Sequence, residues 1–384
     1  MPNIIRTTLT PAIGRLNHAM MAEVDAAVLR ELGECIEWTP IEIYGKIMRI
    51  LAVASGRVFI GPELCHDERY IEAVVNYTIV LNQATLDIKK LNPWLKRFQA
   101  HRLHSVIALK KLEDRFLTFI APTVEARRKA MTSGQTVPDD MLTWLMTKGA
   151  GDGIETVRDI GLNQLGLTHV ASFATGATAT NVLYDLAFRQ QYIKPLRDEV
   201  RETLAGFDGK LTTPALRNLQ KMDSVMKESL RMHPLVFSTF ERRALQSFTL
   251  SDGHFIPKGT NLEIPNHAIA RDPEIFPDPD AFKPWRFYEM GEKNTEKNGG
   301  GTSHQFVSVS TELGSFGYGR DACPGRFYAA DELKMILARI LMAYDVRMVD
   351  GETERYPNLD FGGVCIPDPT RKLLFKRVVD SPTR

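Results

Sequence analysis

The chain reads as a mainly α-helical protein with small β-sheets late in the sequence. Three observations predict this. Apolar residues recur at helical spacing through the first two-thirds, as in Met20, Val24, Ala27 and Val28. The texture changes after Pro234, where short apolar runs are joined by turn dipeptides such as Asp252-Gly253 and Lys258-Gly259. A last helical stripe, Leu333, Ile336, Leu337, Ile340, Leu341 and Tyr344, follows a glycine-rich loop. No internal repeat or separating linker is evident, so residues 1–384 are expected to form a single domain.

Asn17 is placed to cap a helix that ends at Gly33. Thr39-Pro40 is expected to open the next, with Glu42 in its first turn and Ile43, Ile47, Ile50 and Leu51 as its stripe. Asp67 should start a third, through Ile71, Val74 and Ile79. A long stretch from Pro93 to Lys129 is expected to kink or split at Pro122. A short helix over Met141–Met146 precedes a glycine-rich turn. The helix predicted over Glu155–Arg189 carries small and hydroxyl residues from Ala171 to Thr180, which let a bulky group or another helix approach closely. Phe248–Gly259 reads as short strands, Glu289–Thr311 as a mobile polar surface loop, and Val346–Val379 as strands and turns.

With 43% hydrophobic and 25% charged residues, the composition is that of a soluble globular protein. A net charge of +1 argues against a nucleic acid or acidic polymer as partner. The four cysteines lie far apart with no Cys-x-x-Cys pair, which argues against zinc and thioredoxin chemistry and for reduced thiols. No apolar run reaches membrane-spanning length, Ile47–Ile60 being broken by Arg49 and Arg57, and residues 1–10 lack the core of a signal peptide. A cytoplasmic or peripheral location is expected of the chain as given.

The stretch that carries chemistry is Phe316-Gly317-Tyr318-Gly319-Arg320-Asp321-Ala322-Cys323-Pro324-Gly325-Arg326-Phe327. Pro324 suits the first turn of the helix that follows. A sulfur at a helix N-terminus meets the positive end of the dipole and unpaired N–H groups. Both favour thiolate, and a thiolate on a rigid loop is a ready metal ligand. Phe316, Gly319, Cys323 and Gly325, as Phe-x-x-Gly-x-x-x-Cys-x-Gly, resemble the haem-binding loop of the cytochrome P450 superfamily. Glu228 and Arg231, three apart on one helix face, resemble its Glu-x-x-Arg pair, continued by His233 and Pro234. Pro284-Trp285-Arg286-Phe287 is similar to its later arginine segment. Asn266–Pro273 and Phe276–Pro279 also look like the family, and the Cys loop with Pro367-Asp368-Pro369 looks most like fungal members that tailor terpenoids and related natural products.

The resemblance implies a P450 fold with haem b. Cys323 would be the axial ligand of the iron, with Phe316, Gly319, Arg320, Gly325 and Arg243 about the haem. Glu228, Arg231 and Arg286 would form a structural clamp that lysine could not copy. Substrate contacts would come from Ala171, Phe173, Ala174, Val236, Phe237 and Val364. Three departures stand out. Asp321 occupies the place where the family usually has an Arg or His that pairs with a haem propionate, and Arg320, Arg242 or Arg243 would have to supply that charge. Aligning 170–176 with the family's acid–alcohol pattern puts Phe173 at the acid and Ala174 at the first Thr, leaving Thr175 as the catalytic hydroxyl. The family's membrane anchor, first sheet and Trp-x-x-x-Arg helix would fall at or before Met1, so a shortened fold is expected. Family members sit on the endoplasmic reticulum facing the cytosol. The implied activity is NADPH- and O2-dependent monooxygenation of an apolar small molecule, with electrons from NADPH-cytochrome P450 reductase. Phe173 and Ala174 leave open a rearrangement, dehydration or peroxide-driven oxidation. Asp321 and the late start leave open a non-catalytic helical domain.

Overall fold

The computed structural model describes residues 2–298 and 304–378. Apart from one short strand after the second helix, helix follows helix through Met232. The short α1 (Pro2–Ile4) passes through a π-helical turn (Ile5–Leu9) into α2 (Thr10–Leu32). Asn17 therefore lies inside a helix and caps nothing. Its buried amide donates to Asp331 at 2.7 Å and to Thr213 at 2.9 Å, contacts that only tertiary packing creates. Gly33 closes α2 at φ 77°, a left-handed position suited to glycine.

The second expected helix begins later than its sequence suggests. Thr39–Glu42 forms a strand, β1, whose partners are residues 372–375 at the other end of the chain. That pairing overrides the helix-start signal of Thr39-Pro40, and α3 (Ile43–Phe59) follows directly. The Asp67 side chain caps α4 (Glu68–Lys90) by accepting from the Arg69 N–H at 2.9 Å. The long stretch after it breaks at Leu103, which is extended (ψ 135°), and not at Pro122. Thus α5 (Lys96–Gln99) and a 3-10 turn precede α6 (His104–Thr132), with Pro122 inside α6. Next come α7 (Met141–Lys148), capped by Asp140, and α8 (Val157–Phe188), whose Thr156 and Asp159 form a reciprocal capping box. After α9 (Ile193–Gly206), α10 (Thr213–Asn218) and α11 (Gln220–Met232) the strands begin.

β2 (Thr239–Arg243) pairs antiparallel with β5 (Asn261–Ile264), enclosing the hairpin of β3 (Phe248–Thr249) and β4 (Phe255–Ile256). A short α12 (Asn266–Ile269) follows. The expected surface loop Glu289–Thr311 begins as helix, because α13 runs Arg286–Asn298; residues 299–303 of that stretch lie outside the described residues. After α14 (Arg326–Ala343) come β6 (Tyr344–Met348), the β7 (Asn358–Phe361)–β8 (Val364–Pro367) hairpin and β9 (Lys372–Arg377). β9 lies between β1 and β6. Val379, the last residue of the expected strand region, lies outside the described residues.

α3 packs against both α2 and α8, and α14 contacts α2 and α8. A Cβ at Gly176 would come within 2.6 Å of the Met48 sulfur, so one use of α8's small residues is to admit α3. Phe59, Phe116 and Phe375 are at most 2% exposed; burying each contributes about 1.5–3 kcal/mol. Among the described residues no helix is long and apolar enough to cross a membrane.

Candidate active site

The cysteine loop is shaped by its glycines. Gly317 and Gly319 take φ values of 70° and 64°, left-handed positions that L side chains rarely adopt. The chain can then fold back so that the Cys323 N–H donates to the Phe316 carbonyl at 2.7 Å. Gly325 is the N-cap of α14, and Arg326 reaches back to donate to the Cys323 carbonyl at 2.7 Å and the Val307 carbonyl at 3.1 Å. The Phe316 ring packs edge-on against Phe306 at 5.2 Å. The loop is therefore tied on both sides of the sulfur. All four cysteines are free, but Cys35, Cys65 and Cys365 are buried while Cys323 is partly exposed. Burial pushes the Cys65 and Cys365 thiols up to about 11, which keeps them protonated and inert at neutral pH. Cys323 alone of the four is not buried.

Glu228 and Arg231 are wholly buried and Arg286 nearly so. Arg231 donates from Nε and Nη2 to the two Glu228 oxygens, both at 2.8 Å. Arg286 Nε bridges both oxygens at 3.1 Å, and the Lys283 N–H adds a donor at 2.9 Å. The outer N–H groups go to carbonyls: Arg231 to Ala270 and Pro279, Arg286 to Pro277, Asp278 and Ala281. One carboxylate and two forked cations thereby join α11, the end of α12 and the segment 277–286 into one unit.

Asp321 is answered across the cleft. Arg242 of β2 donates to its carboxylate at 2.6 Å and lies over the Phe240 ring at 4.5 Å. The pair is 41% and 62% exposed, so its own contribution is under about 1 kcal/mol. Its effect is to neutralise the aspartate. Arg243, next along β2, is exposed and enters no ion pair among the described residues. Arg320 is exposed, and its carbonyl accepts from the Arg6 guanidinium.

The α8 residues divide by exposure. Ala171, Phe173 and Ala174 are half-buried, and Val170 is 64% exposed, while Thr175 is 3% exposed and faces the core. The Thr178 hydroxyl, one turn on, donates to the Ala174 carbonyl at 2.9 Å. Val236 and Val364 are half-buried and joined by an antiparallel bridge, and the half-buried Phe237 donates its N–H to Gly363 at 3.0 Å. A cavity of about 1050 Å³ opens between β1, α3, α4, α8 and the β7–β8 hairpin, with Ile79, Leu86, Phe173, Phe361 and Ile366 in its wall. Phe173 is thus the expected substrate residue that faces this space.

Sequence reasoning overlooked His169. One helical turn before Phe173, its ring stacks on Phe173 with centroids 5.8 Å apart, meets Tyr77 edge-on at 6.0 Å, and sits 3.2 Å from the Thr78 hydroxyl. Burial lowers its pKa, so the imidazole is neutral at pH 7. The spacing of four from Phe173 was the available signal.

These residues fit a haem. A half-exposed sulfur is presented by a glycine-set loop, the partly exposed apolar Phe316 and Phe327 adjoin it, and the cations Arg242, Arg243 and Arg320 lie on the same loop or on β2. Comparison with known proteins points the same way. Residues 5–375 match the model of the Cytochrome P450 family. The chain is 37% identical over 373 residues to the cytochrome P450 monooxygenase ATR3 of Stachybotrys chlorohalonatus, covering 96% of this chain and 78% of that protein. It is 35% identical to the cytochrome P450 monooxygenase paxP of Penicillium paxilli, covering 97% of this chain and 72% of that one. Among solved structures, a retinoic acid-bound cyanobacterial CYP120A1 superposes with a TM-score of 0.73 at 18% identity, over 98% of this chain and 78% of that one, a likeness of fold. With a cysteine loop, a buried Glu–Arg–Arg clamp and this match over nearly its whole length, the chain belongs to the cytochrome P450 family and is an oxidoreductase of the monooxygenase type.

Proposed function

We propose that this protein is a haem-thiolate monooxygenase that inserts one atom of O2 into an apolar natural product, a terpenoid or similar skeleton of fungal secondary metabolism. The observation that carries the reading is Cys323, the one half-exposed cysteine, held by the backbone of a glycine-set loop at the head of α14. Haem b, when bound, supplies the oxygen chemistry, with thiolate ligation favouring O–O cleavage. The residues of the chain do the rest. Cys323 would hold the iron, and Arg326 and Phe316 fix the loop that carries the sulfur. With Asp321 neutralised by Arg242, Arg243 and Arg320 would supply the positive charge that the acidic edge of a haem needs. Thr175 and the half-buried Ala171, Ala174, Val236, Phe237 and Val364 are the catalytic and substrate-contact residues of this reading.

The cavity supports the substrate class. Its volume is at the upper end for small-molecule sites, and aliphatic and aromatic walls are joined by the carboxamides of Asn76, Asn82 and Gln83. An apolar skeleton carrying a few oxygen functions suits such a wall. Electrons come from NADPH-cytochrome P450 reductase at the cytosolic face of the endoplasmic reticulum.

The test is spectroscopic, then chemical. The reduced, CO-bound protein shows the red-shifted Soret band of a thiolate ligand, and Cys323→Ser abolishes it. An unshifted band in the unaltered chain overturns the reading. Product formation with reductase, NADPH and O2 separates monooxygenation from a peroxide-driven reaction. Phe173, stacked on His169 where an acid would otherwise stand, is the observation that favours the latter. Turnover with peroxide alone, and none with reductase, would replace the first reading by the second.

A further inference from the structure

One buried acid has no part in the reading so far. Glu332 of α14 is wholly buried and forms no ion pair with any Lys, Arg or His among the described residues. It accepts a 2.5 Å hydrogen bond from Ser55 of α3 and lies 3.4 Å from the Tyr328 hydroxyl. Tyr328 is in turn 3.4 Å from Ser55. Its other oxygen, Oε2, has no hydrogen-bond partner. Tyr70 of α4 is close enough to feel its charge, and on α8 both side-chain amide atoms of Gln164 and the Ser172 hydroxyl also have no hydrogen-bond partner. Each of these side chains is wholly buried. The Thr168 hydroxyl stands by the Tyr70 phenol, where it opposes the upward push of burial on that group, and donates to the Gln164 carbonyl at 2.9 Å. Gln164, Thr168, Ser172 and Thr175 recur at spacings of four, four and three, so they form one face of α8.

Unsatisfied polar atoms on this buried face of α8 and on Glu332 mark seats of internal water, since native proteins leave few such groups unpaired. Burial with no cation nearby also raises the Glu332 carboxyl to about 8, above the pH of the cytosol. The titratable groups facing it are Tyr328 from its own helix and Tyr70 from α4, with Cys65 beyond Tyr70. All three are pushed upward by burial and are neutral at pH 7.

We propose that Glu332 is a proton-donor site of this enzyme, linked through Ser55, Tyr328, Tyr70, Thr168 and internal water to the Ser172–Thr175 turn of α8. The inference rests on the monooxygenase reading. In that reaction, one atom of O2 enters the substrate and the other takes up two protons and two electrons and leaves as water. The electrons come from NADPH through the reductase. Glu332 releases one of the two protons along the hydroxyl chain and is reloaded from solvent. Phe173 and Ala174 cannot donate a proton on the face they occupy, and Ser172, next to Phe173 along α8, lies on the buried face that Gln164 and Thr168 share. Glu332 touches neither substrate nor iron ligand, so it acts as a positioning and proton-holding residue.

Glu332→Gln keeps the shape and the acceptor for Ser55 but carries no acidic proton. Infrared difference spectra of the wild-type chain minus Glu332→Gln at pH 7 contain the carbonyl stretch of an un-ionised carboxylic acid. A carboxylate signature in its place overturns the proposal, and this measurement needs neither haem nor turnover. With reductase and NADPH, Glu332→Gln retains the CO-bound Soret band of the wild type and its NADPH consumption. Its product formation falls about a hundredfold as hydrogen peroxide replaces product, the low end of what a positioned proton donor contributes. Tyr70→Phe shifts the same partition in the same direction. An unchanged ratio of product to peroxide in both variants overturns the proposal. A wild-type chain that makes no product at all removes the monooxygenase reading and the delivery role with it, while the infrared band still reports the proton on Glu332.

Discussion

The clamp gives the sharpest stability prediction. Among the described residues, Glu228→Ala removes the only carboxylate facing Arg231 and Arg286, which are 0% and 7% exposed. Both guanidiniums lose bonds of 2.8–3.1 Å while keeping those to the surrounding carbonyls. They therefore remain buried as uncompensated charges. Breaking a buried pair in this way costs about 3–5 kcal/mol, a large part of the 5–15 kcal/mol that separates a typical native state from its unfolded ensemble. Guanidinium unfolding followed by far-ultraviolet circular dichroism measures the loss directly. Asp114→Ala is the control, because it and its partner Arg158 are 71% and 59% exposed and the pair lies in water; under about 1 kcal/mol is expected there. Arg286→Lys falls between the two, since an ammonium keeps the charge but cannot serve Glu228 and three carbonyls from one plane. A loss from Glu228→Ala no greater than the control would refute the claim that the clamp holds this half of the molecule together.

Other predictions follow from single groups. Gly61→Ala should lower stability by about 3 kcal/mol, because a Cβ at φ 95° would run into Arg127, Asp140 and Glu63; a melting temperature unchanged by the substitution would contradict it. Burial alone would raise the Asp185 pKa, but Arg355, His233 and Ser229 more than offset it and hold the carboxyl well below the usual range. Its contribution is therefore present above the unfolded pKa of about 3.9 and is lost as pH falls below that, so Asp185→Asn should flatten the acid limb of the stability curve. Glu332 has the opposite sign. With its folded pKa raised to about 8, its contribution is present at low pH and declines as pH rises from the unfolded value toward 8. The slope is at most about 1.4 kcal/mol per pH unit, and Glu332→Gln should remove it; the same slope in the variant would refute the assignment.

What the sequence made legible was local or carried by several residues in fixed order. Asp67 capped its helix and Gly33 ended another because each acts through its own turn. The Cys323 loop and the clamp were legible because each side chain sits in a recognisable run. Thr39-Pro40 misled because the decisive partner is the strand at 372–375, which no local window contains. The break at Leu103 was missed for a related reason: proline is the loudest local signal, yet a helix anchored along its length tolerates one.

Asp321 shows how much charge depends on the partner chosen by the fold. By itself it is a negative group beside a site that needs positive charge. Against β2 it becomes half of a neutral pair, and Arg243 is left over. Glu332 is the extreme case. In sequence it is one acidic position on a helix with an apolar stripe, and the ordinary reading of such a residue is a solvated surface group. Its meaning comes from Ser55, Tyr70 and Thr168, three residues on three other elements, none within 160 positions of it. By the family resemblance, Phe173 stands where the acid of the oxygen-side helix is expected. Glu332, a buried neutral acid of α14, meets Ser55 of α3 and faces Tyr70 of α4, an arrangement that only the packing of α3, α4, α8 and α14 reveals. A proton source for this enzyme should therefore be sought first across the helix from Phe173, and not at the position Phe173 vacated.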